Sequence, residues 1–270
     1  MPLLLKNCRI LIKDKVYSKN IFIKNGKISK ITSKEPKSDS VIDVKSNFVL
    51  PGLIDCHVHF REPGLTHKED FFTGSCAAAK GGTTTILDMP NTIPPTTTIA
   101  ALEEKRRLAA KSIVNYGLIF GASNDNISDI KKAKNIAAVK LYMNYTTGDL
   151  KVDDFEAIAD IFKTSKLTVV HAEDENVKNA IEILIKNKIK NKLHVAHVSS
   201  KKELDYAKQN KIRKQISVEV SPHYLFMNED DLQTLGAFAE MKPRLKTEQD
   251  QKALWNGIQD GMVDVIATDH

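Results

Sequence analysis

The chain is 270 residues long and 41% hydrophobic, enough to enclose one barrel-sized core, since a single α/β barrel runs to about 200–250 residues. Lys and Arg outnumber Asp and Glu by 40 to 34, a net charge of +6, but the cations lie on mixed Lys/Glu faces without interleaved aromatics, which excludes a nucleic-acid groove while mildly favouring an anionic substrate. Cys8, Cys56 and Cys76 are widely spaced with no C-x-x-C, and the apolar start Leu3–Leu5 is broken by Lys6 and Asn7; this excludes a disulfide framework, a zinc knuckle, a signal sequence and a membrane span, and fits a cytoplasmic protein.

Residues 1–50 read as a small β-rich module: runs at Leu3–Ile12, Ile21–Ile23, Ile28–Ile31 and Val41–Val44, with Asn25-Gly26 as a hairpin turn. Residues 51–270 read as a second domain in which apolar runs alternate with helical stretches. The runs are Val49–His59, Thr84–Met89, Tyr116–Gly121, Ala137–Met143, Leu167–His171, Leu193–Val198, Ile216–Val220 and Val263–Thr268. Helical spacing appears at Asp70–Lys80, Ile99–Lys111, Asp153–Lys163, Asn176–Ile189 and Glu248–Gln259. Periodicity alone does not separate a barrel from an open doubly wound sheet. The polar residues favour the barrel: chemically capable side chains close six of the runs, which suits a ring-shaped mouth rather than one switch point.

His57-Val58-His59 closes the first run, and residues two apart in a strand share a face, so both imidazoles can grip one metal ion. Alone, H-x-H is a weak signal. His171 ends the fifth run and His197 lies near the end of the sixth, and four histidines on three strand ends argue against ordinary core histidines. Asp269 brings a carboxylate to the end of the eighth run, although Asp is also a common helix cap. Lys140 lies inside Ala138-Val139-Lys140-Leu141-Tyr142, where an unpaired cation is out of place. Carbamylation, snorkelling and an internal ion pair are the three readings open for it. Arg61 offers a donor fork suited to a carboxylate, or pairs with Glu62; Asn91 adds a donor, or is a turn residue.

The string Pro51-Gly52-Leu53-Ile54-Asp55-Cys56-His57-Val58-His59-Phe60-Arg61-Glu62-Pro63-Gly64 resembles the dihydroorotase signature of the amidohydrolase superfamily. The likeness continues through Lys80–Thr85, Met89-Pro90-Asn91-Thr92, Val139–Tyr142, Val170-His171-Ala172-Glu173, His194–Ser199, Glu219–Tyr224 and Ala267-Thr268-Asp269-His270, and so covers the chain. The resemblance implies a TIM-like (β/α)8 barrel with two Zn²⁺ ions. His57, His59 and Asp269 would hold one ion and His171 and His197 the other, bridged by hydroxide and carbamylated Lys140. It further implies reversible interconversion of carbamoyl aspartate and dihydroorotate in pyrimidine synthesis. Asp269 would shuttle the proton and Arg61 and Asn91 would anchor the substrate carboxylate. Glu219 and His223 are either groups that orient a metal-binding histidine or plain strand-end residues.

Dihydroorotases of this kind continue past the eighth strand, so the expectation is a truncated chain, without the last helix and the C-terminal strands, that binds zinc but turns over poorly when made alone. Allantoinase and hydantoinase share the zinc chemistry without the carboxylate clamp. A non-catalytic scaffold for aspartate carbamoyltransferase is the rival of another class, against which the full ligand set speaks. A homodimer is the default assembly.

Overall fold

The computed structural model describes residues 1–146, 148–208 and 213–270, which fall into two compact units, Met1–Gly52 and Leu53–His270. In the first, β1 (Leu3–Ile12), β2 (Lys15–Lys24), β3 (Lys27–Thr32) and β4 (Ser40–Asp43) form one sheet in the order β3-β2-β1-β4. β1 runs antiparallel to β2 and parallel to β4. Cys8, Ile10 and Ile21 are its buried centre. Asn25-Gly26 turns the β2–β3 hairpin with φ of 53° and 71°, the left-handed pair that a two-residue hairpin loop needs. Lys13-Asp14 makes the same kind of turn between β1 and β2 with φ of 46° and 61°.

The second unit holds eight parallel strands: β5 (Leu53–Val58), β6 (Thr83–Asp88), β7 (Asn115–Gly121), β8 (Ala138–Tyr142), β9 (Leu167–His171), β10 (Lys192–Val195), β11 (Ile216–Val220) and β12 (Val265–Ile266). Each pairs with the next in chain order. That unbroken order has no switch point and so rules out the doubly wound alternative. The ring is closed just past the ends of the ladders: Asp269 N donates to His57 O at 3.0 Å, and His59 N to His270 O at 2.7 Å. Asp55 reinforces this seam by accepting from Thr268 N at 3.2 Å and Thr268 Oγ1 at 2.5 Å.

Around the strands lie α1 (Phe71–Lys80), α2 (Ile99–Ala109), α3 (Ile127–Lys132), α4 (Phe155–Thr164), α5 (Glu175–Lys186), α6 (Lys201–Lys208), α7 (Pro222–Phe226), α8 (Leu232–Leu235) and α9 (Glu248–Gln259). Local chemistry fixes their starts. Asp70 and Thr73 form a capping box on α1, Thr247 and Asp250 one on α9, and Thr98 and Asp154 cap α2 and α4 through their side-chain oxygens. The main core lies between strands and helices, with Phe71, Ile86, Leu102, Ile158, Ile181 and Leu254 among its buried members. Inside the ring the apolar cluster is small, consisting of Met89, Ile119, Ala138, Val169 and Ala196. Buried polar groups share that interior: Lys140, His194 and Glu219.

One buried ion pair braces the mouth. Lys105 of α2 meets Asp88 at the end of β6 at 2.5 Å, both fully buried, and the other Asp88 oxygen accepts from Phe60 N at 2.7 Å. Lys105→Met strands the Asp88 carboxylate, so a loss of about 3–5 kcal/mol in unfolding free energy is expected. A urea titration showing less than about 1 kcal/mol would mean that the pair does not brace the fold.

Candidate metal centre and cavity

A cavity of about 500 Å³ opens at the C-terminal ends of the strands and is lined by His57, His59, Arg61, Asn91, Lys140, Tyr142, Thr146, His171, His197, Glu240, Met241, Lys242 and Asp269. Every residue singled out as a metal ligand or substrate anchor is in this lining. Thr146, Glu240, Met241 and Lys242 come from loop segments with no motif or periodicity to mark them.

His57 and His59 point their Nε2 atoms at the same Asp269 oxygen, at 3.1 and 2.9 Å. Their other nitrogens are committed as donors, His57 Nδ1 to Glu219 Oε1 at 2.8 Å and His59 Nδ1 to Asn91 Oδ1 at 2.7 Å. A neutral imidazole with its proton on Nδ1 presents a lone pair at Nε2. Two such lone pairs facing one carboxylate oxygen repel unless a cation lies among them. The donor set His57, His59 and Asp269 therefore fits a metal ion.

The second pair has the same logic. His171 Nε2 is held by Glu173 Oε1 at 3.1 Å, which turns His171 Nδ1 toward His197 Nε2 at 2.9 Å. Burial lowers the pKa of both imidazoles, that of His197 well below the ordinary value, and lowers that of His59 too. Neutral imidazole is the ligating form. Lys140 Nζ and His197 Nδ1 are buried without a hydrogen-bond partner among the described residues, as expected of atoms shaped for a ligand.

Lys140 is 1% exposed, so it does not snorkel, and among the described residues it makes no ion pair. Burial depresses its amine to about 8, which makes the neutral, nucleophilic form accessible near neutrality. Glu62 is not the partner of Arg61, for its oxygens accept from Phe71 N at 3.1 Å and Lys111 Nζ at 2.8 Å. The Arg61 backbone carbonyl accepts from Leu65 N at 3.0 Å, while its guanidinium makes no ion pair or hydrogen bond among the described residues. Asn91 uses its oxygen to hold His59, a role its place in a turn does not announce.

Glu219 on β11 is fully buried and is the hub of the support. It accepts from His57 Nδ1, His194 Nε2 at 2.9 Å, His197 N at 3.0 Å and the Cys56 thiol at 3.5 Å. Burial opposes its charge, but the facing His57 and His194 hold its pKa well below the usual carboxylate range. Cys56, His194 and Glu219 also cluster closely enough to be read as metal ligands. Burial and the Glu219 charge push the thiol pKa upward, so it stays a protonated donor, and this trio is a hydrogen-bonded brace. His223 packs on the Tyr224 ring, 4.2 Å between centroids, and does not line the cavity.

Arg61, His197 and Asp269 have φ of 62°, 37° and 55°. Left-handed backbone at a residue other than glycine costs on the order of 1–3 kcal/mol and gathers where a site dictates geometry.

Residues 48–270 match the Amidohydrolase family, and the chain belongs to that family. Its solved relatives in shape include the L-hydantoinase (dihydropyrimidinase) of Arthrobacter aurescens, with a TM-score of 0.89 at 26% identity over 99% of this chain and 69% of that one. By sequence the chain is similar to the dihydroorotase of Methanosarcina mazei, 37% identical over 98% of this chain and 68% of that protein. It is also 39% identical to the multifunctional protein CAD of Squalus acanthias, over 82% of this chain and 10% of that protein. The chain spans about two thirds of the length of the dihydroorotases that it matches first, 68% and 66%.

Proposed function

We propose that this barrel is the catalytic part of a zinc-dependent dihydroorotase. The observation that carries the reading is the meeting of two histidine pairs, Asp269 and the sealed amine of Lys140 in one cavity that also holds the guanidinium of Arg61. His57, His59 and Asp269 would hold one zinc ion, and His171 and His197 a second. Bound zinc would polarise the ring amide carbonyl and acidify the attacking water. The neutral Lys140 amine can add carbon dioxide: its lone pair forms the N–C bond, one proton leaves to solvent, and the resulting carbamate is the anion that joins the two halves of the site.

The rest is done by side chains. Asp269 lies against the Nε2 atoms of His57 and His59, and an ion bound among them would hold it as the carboxylate. Asp269 accepts the proton of the attacking water as the new C–O bond forms. It then returns that proton to the ring nitrogen as the C–N bond breaks, giving carbamoyl aspartate; closure of the ring is the reverse. Arg61 would fix the ring carboxylate through charge-assisted hydrogen bonds, which favours a carboxylated ring over hydantoin or allantoin. The test is zinc content together with turnover of dihydroorotate, hydantoin and allantoin by the protein as its gene encodes it. Zinc with preference for dihydroorotate is the expected result. Turnover of allantoin or hydantoin alone overturns the substrate, and zinc without any turnover overturns the catalytic reading.

A further inference from the structure

The hydroxyl of Tyr142 has no use in the chemistry above, yet it is placed like a working group. Tyr142 is the last residue of β8, two positions after Lys140, so the alternation of a strand puts both side chains on the face turned into the barrel mouth. Both line the cavity. Tyr142 is 2% exposed, and its hydroxyl has no hydrogen-bond partner among the described residues.

Buried hydroxyls are nearly always paired, and each exception calls for a reason. The other unpaired atoms sort themselves. Lys140 Nζ and His197 Nδ1 belong with the metal-binding cluster, Asp88 Oδ2 is ion-paired with Lys105, and Thr168, Ser221 and His223 do not face the cavity. Tyr142 is left as a neutral donor on the cavity wall. Arg61 lines the same cavity. A guanidinium supplies charge to an anionic ligand, while a fixed neutral donor supplies direction, and the two together bind a planar carboxylate better than either does alone.

We propose that Tyr142 is a further substrate-contacting residue, its hydroxyl donating a hydrogen bond to the carboxylate of the bound ring beside Arg61. The assignment rests on the carboxylated-ring reading above. It makes Tyr142 a specificity determinant, since a site built to hydrogen-bond one substituent discriminates strongly against rings that lack it.

Tyr142→Phe keeps the ring and removes only the hydroxyl. The probes are orotate, a planar carboxylated analogue, and uracil, the same ring without the carboxylate, titrated calorimetrically into the zinc-loaded protein. The orotate Kd of the variant is expected to rise roughly 10- to 100-fold, the ordinary value of a hydrogen bond to a charged group, and preference for orotate over uracil to shrink with it. The thermal midpoint should stay level or rise, because an unpaired buried hydroxyl has been removed. An orotate Kd within about twofold of the parent, or a midpoint that drops along with the affinity, overturns the assignment in favour of a packing role. A parent protein that binds uracil as tightly as orotate overturns the carboxylated-ring reading itself.

Discussion

Asp269→Asn is expected to lower turnover of the cyclic amide by roughly 100- to 10,000-fold, the range attributed to a positioned proton-transfer group. The substitution keeps the shape and one oxygen facing His57 and His59, whose Nε2 atoms lie 3.1 and 2.9 Å from the present carboxylate oxygen. It removes the negative charge and the capacity to take a proton. A carboxylate can take up a proton, and the amide has no corresponding form. Zinc content measured on the same sample separates a lost ligand from a lost base: turnover falling with zinc retained identifies the base. A reduction below tenfold with full zinc occupancy would show that the proton travels by another route.

Glu219→Gln carries the second large effect, and it falls on metal affinity. One carboxylate holds the ring of His57, from the first ligand set, and the backbone N–H of His197, from the second. Glutamine has one acceptor oxygen and turns an NH2 group toward donors that need acceptors, so either His57 or His194 must rotate. Replacing such an outer partner of a ligating histidine weakens metal binding by about 10- to 100-fold. Here both ions should be affected, because Glu219 touches both halves. Cobalt titration followed by visible absorption resolves the two binding steps. Wild-type affinity at both would mean that Glu219 serves the fold rather than the site.

The alternation of runs and helices made the barrel legible, because β/α repetition with polar residues at the run ends has few architectural solutions. β10 was less so: the apolar run continues to Val198, but the strand stops at Val195 and His197 takes a left-handed φ. The histidine reaches the site through a bend that hydrophobicity does not encode. α6 escaped detection because its sequence, Lys201–Lys208, is mostly charged and buries only Glu203, Leu204 and Ala207. Lys105 sits in the charged stretch Glu103-Glu104-Lys105-Arg106-Arg107, yet it is fully buried against Asp88, and nothing local in sequence pairs residues from β6 and α2. The four candidate ligand histidines are marked in the sequence because they fall at the ends of runs, and the structure brings them to one cavity. Their support is less legible: the sequence leaves Glu219 open between orienting a histidine and a plain strand-end role and points Asn91 at the substrate, because Glu219 lies 162 positions from His57 and Asn91 32 from His59, contacts that exist only once the ring is closed.

The seam between the first and last strands gives that closure a thermodynamic partner. His57 and His59 lie on one side of it and Asp269 on the other, and the backbone bonds that join the edges belong to these residues or to His270. An ion gripping all three side chains would act as a clasp across the one join in the sheet that lacks a ladder of its own. By linkage, whatever free energy the ion gains from a closed ring is returned as resistance to opening it. Chelation should accordingly speed amide exchange first at His59 and Asp269, before the far side of the barrel responds. Were an ion bound there, loading the site and closing the cylinder would be one coupled event, and emptying the site would loosen the fold.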